Sequence, residues 1–279
     1  MVWRNEGMKS FLMGFWVSYR YWVMWENVGY FLILTFLKPI MTFSVWILMF
    51  LISRVINPSV SSDKLAFMLT GMVLFSPLID VMFGTVEILH MEREHYNIYK
   101  LLLISRSNLF LYALGRSSLL FLRGLFVAFM ILSFVAPMMN LNLNMGITFW
   151  VALLVPAAGF LAIGIMLSAL FVAIESVIDA WTFAGIVVGP SYLMCGIVFP
   201  LDVLPPPLQK VAYWLPQTYW IELPRRVLIR RRSIEIGDPK LFLVAVGTSL
   251  TLFVASYFVL KCSIKAGRKA GSLDTIRGA

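Results

Sequence analysis

The sequence predicts an all-α integral membrane protein with six transmembrane helices, and three observations lead there. Of the 279 residues, 60% are hydrophobic and only 13% are charged, a balance far from that of ordinary water-soluble domains. Six runs approach the roughly 20 apolar residues that a helix needs to cross a bilayer: 30–53, 65–89, 113–136, 147–174, 180–200 and 241–260. The last three runs contain no Asp, Glu, Lys or Arg at all.

Ahead of the first span, residues 8–27 (MKSFLMGFWVSYRYWVMWEN) carry Lys9, Arg20 and Glu26 among many aromatic rings. That mixture suits a helix lying in the headgroup region, and no removable signal peptide is expected. In the first span, Lys38 can snorkel to the interface and Pro39 is expected to kink the helix.

The second and third spans hold charges that a bilayer does not tolerate alone. Asp80 and Glu87 are seven residues apart, as are Arg116 and Arg123. Seven residues make two helical turns, so each pair shares a face. Consecutive spans are antiparallel. A single register therefore sets Asp80 opposite Arg123 and Glu87 opposite Arg116, which predicts two intramembrane ion pairs. Their plain role is to fasten two helices together; a part in transport is the alternative.

In the fourth span Ala158 and Ala162, and in the fifth Gly185 and Gly189, have the small-xxx-small spacing that lets helices approach closely. After the fifth span comes FPLDVLPPPLQKVAYWLPQTY, with Pro200, Pro205, Pro206, Pro207 and Pro216. The prolines are expected to end the span and to break residues 201–229 into a re-entrant helical hairpin on the outer side.

Six spans put both termini on one side. The basic residues Arg4, Lys9 and Arg20, then Arg93, Lys100 and Arg106, then Lys261, Lys265, Arg268 and Lys269 mark that side as cytoplasmic, in the cell membrane. The outer stretch 201–240 is nevertheless basic, with Arg225, Arg226 and Arg230 to Arg232. That cluster is expected to meet anionic lipid or an acidic cargo.

No phosphate-binding glycine loop and no dinucleotide fingerprint occurs in the sequence. ATP and Mg, if used, belong to another polypeptide. His90 and His95 flank Glu92 and Glu94 in HMEREH, five apart and so on different helix faces; no metal site is expected. Cys195 and Cys262 have no zinc or disulfide spacing. The net charge of +9 is dispersed over loops and ends, which points to orientation and lipid contact, not to nucleic acid. The chain is expected not to be an enzyme by itself.

Against this frame, CGIVFPLDVLPPPLQKVAYWLPQTYWIELPRRVLI (195–229) resembles the signature stretch of type-2 ATP-binding-cassette exporter permeases. The matching positions are Gly196, Phe199, Pro200, Leu204, Pro205, Leu215, Pro216, Tyr219, Glu222 and Arg225, the expected extracellular gate. MEREHYNIYKLLLISRSNLFLYALGR (91–116) is similar to the family's Glu-Arg-Glu segment, although Asn97, Ile98 and Arg106 depart from its commoner form.

The resemblance implies an export machine of two permeases and two copies of a separate ATPase subunit. Residues 92–104 would be the coupling helix, with Glu92, Arg93 and Glu94 as polar contacts and Tyr96, Tyr99 and Leu102 as apolar ones. Spans two and five would line the path, giving Phe75, Phe83, Met194 and Phe199 as candidates. The cargo would be amphipathic, lipid-like, a drug or a saccharide. Two rival readings are an ion-coupled secondary transporter working through Asp80 and Glu87, and a membrane scaffold subunit.

Overall fold

The computed structural model describes residues 6–21, 29, 33–56, 62–94, 102, 105, 107–138, 143, 145–173, 179–229 and 239–270. The described residues are helical and contain no strand. Ten α-helices follow in order: α1 (Glu6–Tyr19), α2 (Lys38–Ile56), α3 (Ser62–Glu94), α4 (Leu109–Met138), α5 (Ile147–Leu154), α6 (Ala157–Ala173), α7 (Ala180–Met194), α8 (Pro206–Trp214), α9 (Pro216–Ile229) and α10 (Pro239–Ala270). Among the described residues, four stretches are long and apolar enough to cross a membrane: Ala66–Glu92, Leu109–Phe134, Ile147–Phe171 and Pro239–Ala266. The chain is a multi-pass membrane protein.

Two departures from the expected spans have local causes. The fourth run is two helices, α5 and α6, because Pro156 cannot donate a backbone hydrogen bond to the preceding turn. The fifth run is helical only to Met194, not to residue 200, which leaves 15 residues or about 22 Å of helix. Its terminator is a glycine, not a proline: Cys195 caps α7, and Gly196 follows at φ +66°, the left-handed conformation that ends many helices. At the other end of α7, Asp179 accepts from the Trp181 amide at 2.7 Å and from the Thr182 hydroxyl. Those bonds, Thr182 foremost, hold its carboxyl below the usual carboxylate range.

The prolines of 205–216 then open helices where they do least harm. Pro206 lies in the first turn of α8 and Pro216 begins α9, positions whose amide hydrogens have no helical partner anyway.

Helix α3 is the centre of the bundle, with α4, α6, α7 and α9 around it. Leu74, Phe75, Leu78, Val81, Met82 and Val86 are all at most 1% exposed. Its one internal proline costs little. Pro77 leaves the Val73 carbonyl without its i+4 amide, and the Ser76 hydroxyl donates to that carbonyl at 2.8 Å instead. Gly124 of α4 packs there, so close that a Cβ would lie 2.4 Å from the Pro77 Cα.

Helix α1 docks by its smallest residues. Ser10, Gly14 and Ser18 recur every fourth position and form its buried face, while Met8, Met13 and Trp16 point outward. The Asn108 amide donates to Ser10 Oγ at 3.0 Å and Ser18 Oγ donates to the Arg116 carbonyl at 3.3 Å, so α1 runs alongside α4 in the same direction. A Cβ on Gly14 would stand 2.0 Å from the Tyr112 oxygen, and one on Gly115 2.0 Å from the Phe11 oxygen. This is the close-approach pattern expected at 158/162 and 185/189. Ala162 is indeed fully buried, whereas Gly185 and Gly189 have nothing within 4 Å of an added Cβ.

Helix α9 is anchored by Trp220, fully buried against Gly159 of α6. Its indole N–H donates to the Ala245 carbonyl at 3.2 Å and to Thr248 Oγ1 at 3.1 Å, both on α10. Helix α8 is the opposite case and exposes Leu208, Val211, Tyr213 and Trp214.

Gly115→Val is therefore expected to push α1 off α4 and lower the thermal midpoint of the purified protein by several degrees, about 1–3 kcal/mol. Gly185→Ala, into open space, is expected to leave the midpoint unchanged. Fluorescence-monitored melting in detergent compares the two.

Candidate functional site

The charged residues of α3 and α4 meet in two places. Midway along both helices, Arg123 Nη2 and Nε donate to Asp80 Oδ1 and Oδ2 at 2.9 and 3.1 Å, a two-pronged pair with both side chains partly exposed. One turn before Asp80 lie Pro77 and its Gly124 contact, so the pair and that contact fasten the same stretch of α3 to α4.

The second meeting corrects the expected partner. Arg116 Nη1 bonds Glu92 Oε2 at 2.9 Å, where Glu87 was expected, and the Tyr112 hydroxyl donates to the other oxygen of Glu92. The cause is the lean of helical side chains toward their own N-terminus. On antiparallel helices the leans are opposed: Arg116 reaches toward the level of Tyr112, Glu92 reaches back toward Leu89, and they converge. Glu87, seven residues along α3 from Asp80 and on the same face, lies half-buried.

This cluster is sealed. Glu92 and Arg116 are 1% and 2% exposed, and α1 covers them through the Ser18 bond to the Arg116 carbonyl. Glu92 is thus an internal anchor of the last turns of α3, not a free polar contact for another subunit. Leu102, expected on the same docking surface, is also buried within the chain. The side chains of Arg93 and Glu94, and all of Tyr96 and Tyr99, lie outside the described residues.

The 195–229 stretch closes on Arg225. Its Nη1 donates to the Gly196 carbonyl at 2.7 Å and to Glu222 Oε2 at 3.3 Å, and its Nη2 donates to the Ile197 carbonyl at 3.2 Å. Arg225 is 3% exposed and so does not belong to the surface basic cluster; Arg226 is exposed and pairs with Glu222 at 2.8 Å. Residues Arg230 to Arg232 lie outside the described residues. The Tyr219 hydroxyl donates to the Tyr213 carbonyl at 2.8 Å and Thr218 Oγ1 to the Ala212 carbonyl at 2.7 Å, which folds α9 back on α8 around Leu215 and Pro216. Leu204 and Pro205 stand at the entry to α8, where Gln209 Nε2 donates to the Leu204 carbonyl at 2.8 Å. Phe199 and Pro200 are exposed.

With this arrangement in view, comparison with known families is decisive. The profile of the ABC-2 type transporters matches residues 13–229. The chain belongs to that family. No curated protein sequence matches it. As an ABC-2 permease it is the membrane subunit of a transporter, a transport component and not a catalytic one, and the family implies an ABC ATPase as its partner.

Of the four residues expected to line the permease path, Phe75 does not: it is fully buried against Tyr192, ring centroids 5.0 Å apart. Phe83 is half-buried and stacks on the exposed Trp181 of α7, also at 5.0 Å, and Met194 is half-buried. Sequence reasoning overlooked Tyr112, the α1 face and Trp220. The Ser10-x3-Gly14-x3-Ser18 spacing signals the α1 face in plain sight; nothing local signals Trp220, whose partners are some 25 residues or more away.

A pair of double-mutant cycles separates the two registers. Arg116→Gln with Glu92→Gln is expected to show a coupling of about 1 kcal/mol or more, because either single change strands a buried charge. Arg116→Gln with Glu87→Gln is expected to be additive to within about 0.5 kcal/mol. Thermal melts of the three single variants, the two double variants and the parent decide it.

Proposed function

We propose that this permease forms the translocation path of an ATP-driven exporter built from two copies of the chain and two copies of a separate ATPase subunit, which holds the ATP and Mg. In this reading the chain crosses the plasma membrane six times, at the four long stretches and at 30–53 and 180–200, with both termini cytoplasmic. Helix α1, expected to lie in the headgroup region, instead accompanies the cytoplasmic end of α4, residues 92–104 carry the coupling helix, and 201–229 form the re-entrant outer gate.

The observation that carries the reading is the continuity of α3 in a chain whose family is that of ABC-2 transporters. Its 33 residues make a rod of about 50 Å that enters the 92–104 segment at one end and touches the 195–229 motif at the other. A partner acting on one end has a direct mechanical line to the other. The burial of Arg225 and the pairing of Arg226 with Glu222 also ease the conflict between an outer 201–229 segment and the rule that basic residues stay inside.

The cargo class follows from the faces left open. Phe83, one turn from Asp80, and Trp181 offer apolar surface near a charged pair, and Met194 and Phe199 add adaptable apolar surface at and past the end of α7, which favours an amphipathic molecule such as a lipid-like compound, a drug or a lipid-linked saccharide. Ion-coupled transport through Asp80 draws no support from a carboxylate with both oxygens already engaged by Arg123.

Co-purification and ATP turnover in lipid test the assembly. Tyr96→Asp combined with Tyr99→Asp is expected to abolish recovery of the ATPase subunit while leaving the melting temperature of the permease in place. Recovery of an intact, ATP-hydrolysing complex would put the docking segment elsewhere.

A further inference from the structure

Three segments that share no local sequence meet at one guanidinium. Arg225 comes from α9, the carbonyls of Gly196 and Ile197 come from the turn after α7, and the Phe67 ring from the first turns of α3 lies 3.9 Å from the guanidinium carbon. At that distance the cation sits well within reach of the ring's negative face. The two carbonyls belong to the non-helical turn just past the C-cap of α7, beside the negative end of that helix's dipole. A cation there is held by charge-assisted bonds in surroundings from which water is excluded.

The fit against α3 leaves no slack. A Cβ added to Gly71 would come 2.0 Å from the Ile197 oxygen and 2.1 Å from Arg225 Nη2, so both sides of the bond press on the α3 backbone. Gly196 supplies the left-handed turn that aims the carbonyls. The neighbouring Arg226 is solvent-exposed and pairs with the other oxygen of Glu222, away from the Gly196 and Ile197 carbonyls that Arg225 holds.

Helices α7 and α9 each pack on α3, and Trp220 ties α9 to α6 and α10. Arg225 adds a polar link that joins both flanks of the proline segment to each other where they meet α3. We propose that Arg225 is the positioning residue that makes the 195–229 motif follow displacements of α3, a role that rests on the export reading and gives it a specific transmission point. A shift of α3, imposed at the 92–104 end and carried past Pro77 by the Ser76 and Arg123 contacts, reaches Phe67 and Gly71. There the guanidinium passes it to Gly196 and Ile197, the residues that aim Phe199 and Pro200.

The test uses the complex with its ATPase subunit in proteoliposomes. Cys195 and Cys262 are changed to Ser, and Phe199→Cys provides an exposed reporter. The reporter's labelling rate by a membrane-impermeant maleimide is measured without nucleotide and with ATP plus orthovanadate. The expected result is a nucleotide-dependent change that Arg225→Gln reduces about fivefold or more, and that Arg226→Gln, the same loss of charge one residue on, preserves. If Arg225→Gln does not accumulate in membranes, Gly71→Ala takes its place, since it displaces the same bond without removing a charge. A response within about twofold of the parent in whichever variant folds overturns the proposal. A parent complex that hydrolyses ATP with no change at the reporter overturns it too, while a parent that neither binds an ATPase nor responds to ATP strikes the export reading itself.

Discussion

Two ion pairs set the register of α3 against α4, and the positions of the other helices follow from that register. An ionised side chain in hydrocarbon is expensive by several kcal/mol, and α3 is surrounded by protein along most of its length, so its carboxylates can be satisfied only from within the chain. Asp80 takes both prongs of Arg123, and Glu92 takes Arg116 and Tyr112. With the two helices locked, Gly124 fits over Pro77 and Gly84 over Leu120. The outer face of α4 is then free for α1, and the opposite side of α3 for α6, where Thr85 donates to the Gly164 carbonyl at 3.0 Å.

At several breaks and helix ends, polar side chains satisfy backbone groups that would otherwise be stranded. Ser76 replaces the amide missing at Pro77, and Arg225 satisfies the carbonyls exposed where α7 stops at Gly196. Trp220 caps its indole on an α10 carbonyl, and Asn108 Oδ1 accepts the amides of Phe110 and Leu111 at the start of α4. In a medium without water each unpaired group costs far more than it would on a soluble surface. The breaks at Pro77 and Gly196 are therefore places where polar residues gather.

How much of this could be read from sequence depended on the range of the physics. Hydropathy finds the long helices because burial in lipid is a property of each segment alone. The charge spacing on α3 and α4 finds the Asp80–Arg123 pair because helical geometry fixes which residues share a face. It misplaces the partner of Arg116 because ridge spacing says nothing about the direction in which a long side chain leans. The end of α7 was assigned to Pro200 because prolines are conspicuous, although a single glycine acts five residues earlier. The fate of Arg225 was beyond reach: one arginine in a run of basic residues looks like its neighbours until the fold brings Gly196 and Phe67 around it. Phe75 was misread for a related reason, since an aromatic residue in a membrane helix faces protein or an open path according to neighbours that lie far away in sequence.

The parallel seat of α1 on α4 carries a consequence for how the protein is made. The helix leaves the ribosome well before α4, for the groove that receives Ser10, Gly14 and Ser18 is built by residues around 108–116, and the Ser18 hydroxyl and its acceptor are separated by 98 positions. At ordinary elongation rates of about 5–20 residues per second, α1 waits on the order of 5–20 s for its partner. During that interval its outward Met8, Met13 and Trp16 can hold it at a lipid surface while its small polar face stays hydrated. The side of α1 that looks too weak to fold is the side that has to wait.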